Sequence, residues 1–183
     1  MSSKLDGVEK TIEYELVTKF YAGKVAARSR VYKIHHVTEG VYVLNGLGAS
    51  LAAKRAFCLH PMLQDDEELE ANFYSIVVNC DPTAVALALE YRNIANQYLS
   101  NRDIESISEI QLSPLHQANL MLVADKIQNR KDFELYNRGA IRNSDRLDVY
   151  FNNWLQRLDI TPSDYQDWVL DIQAKFPEHS ERA

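Results

Sequence analysis

Apolar residues in this chain recur at spacings of three and four almost from end to end, and the residues between the runs are those that start and stop helices. From Val8 to about Ala27 the stripe is Ile12, Leu16 and Phe20. A second run passes through His35 to Leu47, with Gly46 and Gly48 suited to a helix C-terminus. A third begins near Ala49 and carries Ala52, Ala56, Leu59 and Leu63. It has to end early, because Pro61 lacks an amide donor and Asp65 to Glu70 is strongly acidic. Asp81-Pro82 reads as a cap and first-turn proline for a helix through Leu99, and Ser113-Pro114 gives the same signal for a longer one through about Tyr136. Two more helices are expected over Ser144 to Leu158 and Ser163 to Phe176. Asn72 to Cys80 has strand-like composition, but one isolated strand has no partner, so helix is expected there as well. The pattern specifies an all-α fold, a compact helical bundle forming a single domain over residues 1–183.

A chain of 183 residues can bury a substantial core. A net charge of −6 provides no general basic surface for a nucleic-acid backbone, and no apolar run approaches the ~18 residues of a membrane span. Cys58 and Cys80 sit in apolar surroundings without metal-type spacing and read as buried free thiols. Free thiols and an N-terminus without an apolar signal core lead to the expectation of a cytoplasmic protein that binds neither nucleic acid nor membrane.

Few residues carry candidate chemistry. His60 and Gln64 lie four apart and share a helix face if the helix survives Pro61; Asp125 and Asn129 do the same on another helix. Met121, Leu122, Ala124 and Ile127 place Asp125 in the core, where a carboxylate is costly unless paired or bound to a metal. His35 opens a third helix. Two imidazoles and a carboxylate suit Mn, Fe, Co or Zn. Spacing alone equally allows His35 and His60 to be hydrogen-bonded core histidines and Asp125 to be ion-paired. His36, His116 and His179 have no partner pattern and read as incidental, and Tyr91, Tyr98, Tyr136 and Trp154 read as core.

Four segments, taken together, point further. Arg28-Ser29-(x)2-Tyr32-x-Ile34-His35 resembles the Arg-Ser-Gly-x-Pro-Tyr-Ile-x-His segment of the RelA/SpoT-type HD hydrolases, which include the small metazoan SpoT homologue. Leu47-Gly48-Ala49 followed by Cys58-Leu59-His60-Pro61-Met62-Leu63-Gln64-Asp65 is similar to their Leu-Gly … Leu-Leu-His-Asp-x-x-Glu-Asp. Leu122-Val123-Ala124-Asp125-Lys126-Ile127-Gln128-Asn129 resembles Leu-Ala-Asp-Lys-x-x-Asn, the most specific of the four, and Arg146 to Phe151 resembles Arg-x-x-x-Tyr-Phe. Order and approximate spacing hold from about residue 16 to 158, with the helix near 163–176 appended.

The resemblance implies an HD-type domain that holds one divalent metal, usually manganese, on His35, His60 and Asp125. Pro61 stands where the family's paired aspartate should be. It further implies that Gln64 and Asp65 fall on the pair that activates the attacking water. Arg28 would lie against a nucleotide base, Lys126 and Asn129 near ribose and phosphate, and Arg146 and Tyr150 at the phosphate end. The departures are chemical: Pro61 cannot ligate, and Gln64 cannot act as a base, although it can hydrogen-bond a water. Asp65 remains as the expected base, and Asp66 reads more readily as part of an exposed acidic loop than as a replacement ligand. The expected function is a diverged phosphohydrolase acting on a small phosphorylated nucleotide like guanosine tetraphosphate, with a homo-oligomer compatible with it. The alternative is an HD pseudoenzyme that binds a nucleotide or a protein as a sensor or sequestering module. A purely structural helical interaction protein is a third, weaker reading.

Overall fold

The computed structural model describes residues 5–27, 29–139 and 143–180. Among these, eight α-helices and no strand form one all-α arrangement: α1 (Ile12–Tyr21), α2 (Ile34–Gly46), α3 (Leu51–Leu59), α4 (Asp66–Asn79), α5 (Pro82–Ala95), α6 (His116–Asp132), α7 (Ser144–Arg157) and α8 (Pro162–Lys175). None of them is long and apolar enough to cross a membrane.

Helix starts follow side-chain capping. Thr11, Ser50 and Asp81 accept hydrogen bonds from the amides of Tyr14, Ala53 and Ala84, satisfying donors that the first turn leaves unpaired. Thr161 and Asp164 close a reciprocal capping box at α8. Several ends differ from the sequence expectation. The stretch expected as one helix over Val8 to Ala27 is a 3-10 turn (Val8–Lys10) followed by α1, which ends at Tyr21 two residues before Gly23 at φ +68°. Ser113 is not a cap; its hydroxyl donates to Glu90, and α6 begins at His116. The acidic run expected as a loop is the cap and first turn of α4, where Asp66, Glu67 and Glu68 face the positive end of the helix dipole. α5 stops at Ala95, short of Leu99.

α6 is the axis of the molecule, packed against α2, α3, α5, α7 and α8. Ala118, Met121, Leu122, Ala124 and Ile127 are fully buried around it, the all-round burial expected of a central helix. Tyr91, Tyr98 and Trp154 are core residues as expected, whereas Tyr136 is half-buried. Cys58 and Cys80 are buried and unbridged.

Two local features shape the neighbourhood of α6. Between α1 and α2 the chain doubles back through an antiparallel bridge, Val25 to Tyr32, closed by Ala26 N–H to the Val31 carbonyl at 2.8 Å and Lys33 N–H to the Lys24 carbonyl at 3.0 Å. This hairpin leads through Tyr32 and Lys33, the N-cap residue, directly into α2. Within α2, Gly40 lets α3 approach closely: a Cβ there would lie 2.1 Å from Cε1 of Phe57.

Candidate metal centre

α2, the end of α3 and the middle of α6 bring His36, His60 and Asp125 together. Among the described residues, these are the grouped His, Cys, Asp or Glu side chains whose ligand atoms all lie within 4.8 Å of one another. The His36 and His60 Nε2 atoms are 3.0 Å apart, and Asp125 Oδ1 is 3.5 Å from the first and 3.9 Å from the second. Ions with bonds of about 2.0–2.2 Å hold neighbouring ligand atoms at about 3.0–3.5 Å, so the group is slightly wide but of the right size.

The outer ring nitrogens decide what the inner ones can do. His60 Nδ1–H donates to the Phe57 carbonyl at 2.6 Å. α3 gives way to a 3-10 turn (His60–Met62) at this point. In a continuing helix the Phe57 carbonyl would accept the amide of residue 61, but Pro61 has none. His36 Nδ1 lies 2.5 Å from Gln128 Oε1. The Gln128 amide nitrogen donates to Glu39 Oε2 at 3.2 Å and Asp132 Oδ2 at 2.9 Å, so its oxygen must be the atom turned to His36. Both Nδ1 atoms are therefore donors, and both Nε2 atoms present lone pairs to each other beside a carboxylate. A cation placed between them would relieve that repulsion, and the group could hold a metal ion.

Asp125 is built as an anion. Burial opposes its charge, but the Lys126 ammonium at 2.7 Å, with both imidazoles, outweighs that and holds its carboxyl down at about 2. Asn129 Nδ2 donates to its Oδ1 at 2.8 Å. Burial, then the neighbouring His36, lowers His60 from 6.5 to about 3, leaving the neutral ligand form. Burial and Asp125 push the Tyr91 hydroxyl well above its ordinary value, so it remains a phenol.

The centre opens into a cleft of about 390 Å³ lined by Tyr21, Tyr32, Lys33, Gln64, Asn129 and Tyr150 as well as by Pro61. Past Lys33, Lys126 and Tyr150 it continues into a second hollow of about 460 Å³ towards Ser29 and Phe151. Gln64 is anchored: Asn96 donates to the Gln64 carbonyl at 3.1 Å, so Asn96 Oδ1 must accept from Gln64 Nε2, at 2.6 Å. Gln64 Oε1 is left as a buried acceptor with no partner.

Several expected site residues lie elsewhere. His35 does not join the centre; its ring stacks 3.7 Å from that of His179, and His36 takes the place assigned to it. One residue is a rotation of about 100° on a helix, which separates the two faces. His36 and His179, expected to be incidental, are both built into the site region. The family segment itself carries one residue between Ile and His, and Ile34-His35-His36 satisfies that spacing with His36. Asp65 is exposed, outside the cleft lining, and caps α4, its Oδ1 accepting the Glu68 amide at 2.8 Å. Asp66 is exposed and paired with Arg92. Arg146 is outside the cleft lining, its guanidinium bound to the carbonyls of Ser100 and Asn101 and to Asp103. Arg28 lies outside the described residues. Lys126, Asn129 and Tyr150 do line the cleft, with the Lys126 ammonium 5.5 Å from the centre of the Tyr150 ring.

No family model, curated protein or solved structure matches the chain. The resemblance to HD hydrolases therefore rests on the four motifs, and the possible metal site rests on the geometry of His36, His60 and Asp125.

Proposed function

We propose that the protein is an HD-type, metal-dependent phosphohydrolase acting on a small phosphorylated nucleotide. The observation that carries this reading is the locked donor set: two imidazoles turned by their Nδ1–H bonds to aim Nε2 at an ionised, buried Asp125. The donor types suit a divalent ion, and the family resemblance favours manganese. When bound, such an ion lowers the pKa of a coordinated water and polarises a phosphoryl oxygen. His36, His60 and Asp125 would hold it. Gln64 Oε1 offers an acceptor for a water hydrogen. Lys33 supplies a positive charge to the cleft, and the Tyr21 and Tyr32 rings supply flat apolar surface for a base. Hydrolysis joins the water oxygen to phosphorus and breaks the P–O bond, and the water proton ends on the leaving group. Two buried, unbridged cysteines fit a cytoplasmic location.

A second reading, nucleotide binding without turnover, is favoured by one specific observation. Asp65, the expected base, caps α4 and is not among the residues lining the cleft, while Pro61 lines the cleft without a ligand atom. Metal analysis of the purified protein, followed by assay of a nucleotide panel with added manganese, separates the two. Phosphate release lost in His36→Ala and His60→Ala supports the hydrolase. Nucleotide binding without release supports the binding module, and no metal uptake removes the metal centre altogether.

A further inference from the structure

Behind the candidate centre, Gln128 joins His36 to a polar network that extends to the C-terminal turn. Glu39, 1% exposed, accepts from Lys131 Nζ at 3.0 Å and Gln128 Nε2 at 3.2 Å, and contacts His179 Nδ1 at 3.0 Å. Asp132 accepts from Lys131 at 2.6 Å and from Gln128 at 2.9 Å. Burial opposes the charge on Glu39, but its bond to His179 and the Lys131 ammonium outweigh that and keep it ionised. Gln128 is itself fully buried. His179 comes from the 3-10 turn Pro177–Ser180 that follows α8, and its ring is stacked against both His35 and Phe176. His179, 140 residues along the chain from Glu39, therefore reaches the second layer behind His36.

We infer that Gln128 is a positioning residue that fixes the proton of His36 on Nδ1, and that the C-terminal turn, through His179 and Glu39, holds the Gln128 amide in the orientation this requires. The logic is one of donors and acceptors. Two carboxylates leave the Gln128 nitrogen no choice but to face them, its oxygen must then face His36, and His36 must donate from Nδ1. Only then does Nε2 carry the lone pair that a metal needs. Outer partners of this kind, when removed, weaken metal binding by about 10–100-fold. The inference rests on the metal-centre reading for its consequence, but the position of the proton can be tested without a metal.

The test uses the full chain with ¹⁵N-labelled histidine, metal-free at pH 8, and long-range ¹H–¹⁵N correlation to find which His36 nitrogen carries hydrogen. Wild type is expected to show hydrogen on Nδ1, and Gln128→Met to shift it to Nε2. Titration with Mn²⁺ is expected to show about tenfold or greater weakening in Gln128→Met. His179→Ala, on a terminal turn, keeps the question open to test if Gln128→Met does not fold; it should give a mixture of the two protonation patterns at His36. Hydrogen remaining on Nδ1 in whichever of these variants fold overturns the inference. So does Mn²⁺ affinity in Gln128→Met within twofold of wild type. If wild type binds no Mn²⁺, the functional reading fails, and the nitrogen pattern alone decides the positioning role.

Discussion

The Phe57 carbonyl accepts the His60 Nδ1–H at 2.6 Å in the place where a continuing helix would offer it the backbone amide of residue 61. Pro61 thus has two consequences. Its side chain offers no ligand atom, and its missing amide leaves a carbonyl for the imidazole of His60. Pro61→Ala returns a competing N–H to that carbonyl without adding a ligand. The expected result is a protein of nearly unchanged fold whose Mn²⁺ affinity falls by up to about tenfold, read by titration calorimetry. Unchanged or tighter binding would show that the proline contributes nothing to the orientation of His60.

Asp125 is the anion on which the centre is assembled. Asp125→Ala leaves the Lys126 ammonium, 5% exposed, without its carboxylate, a loss of about 3–5 kcal/mol for a broken buried pair. Asp125→Asn removes the charge but keeps an acceptor for Lys126 and Asn129, so its loss should be smaller. Urea denaturation of the metal-free proteins should rank wild type above Asp125→Asn and Asp125→Ala lowest, with Mn²⁺ binding impaired in both. Equal stability of all three would mean that Lys126 finds another partner.

The fold was legible because its signals are local. A 3.6-residue apolar period, with an Asp-Pro start for α5, places α5 and α8 within a residue or two of where they begin. Ends were less legible: whether α1 continues past Tyr21 depends on the hairpin that Val25 and Tyr32 close, a pairing with no period to reveal it. In the site, His60 and Asp125 could be found because each sits in a distinctive motif. The ligand expected at His35 is one residue from His36, and on a helix one residue turns a ligand away from the centre. The Glu39–Gln128 bond joins residues 89 apart, and no spacing rule points to it. Arg146 matches the motif in sequence, yet its donors are taken by Ser100, Asn101 and Asp103, a matter of loop packing invisible in the pattern.

Acid should destabilise the metal-free protein through His60. Burial, with His36, holds it at about 3 against an ordinary 6.5, so between those values the unfolded chain binds a proton that the folded chain refuses. Stability is therefore complete above about pH 6.5 and falls as the pH drops towards 3, by at most about 1.4 kcal/mol per pH unit from this group. Asp125, lowered from 3.8 to about 2, contributes in the same direction only below pH 3.8. Chemical denaturation from pH 7 to 4 should show this slope in wild type and a shallower one in His60→Gln. Parallel profiles would assign the acid sensitivity to other groups.

Gly40 links packing to the centre. A methyl group there would sit 2.1 Å from Cε1 and 2.3 Å from Cζ of Phe57, too close for either helix to ignore. Phe57 is fully buried, so its ring has no solvent to move into, and relief requires α3 to shift away from α2. Gly40→Ala gains helix propensity of up to about 1 kcal/mol, but overpacking costs about 1–3 kcal/mol, so net destabilisation is expected. The same shift would carry the Phe57 carbonyl, and with it His60, away from His36 on α2. Mn²⁺ affinity should then fall alongside the melting temperature, although no ligand or hydrogen-bond partner has been removed. Substituting Phe57→Leu in the Gly40→Ala background makes room for the methyl group and should recover part of both losses. Recovery of stability without any recovery of metal binding would show that the α2–α3 approach does not set the distance between the two imidazoles.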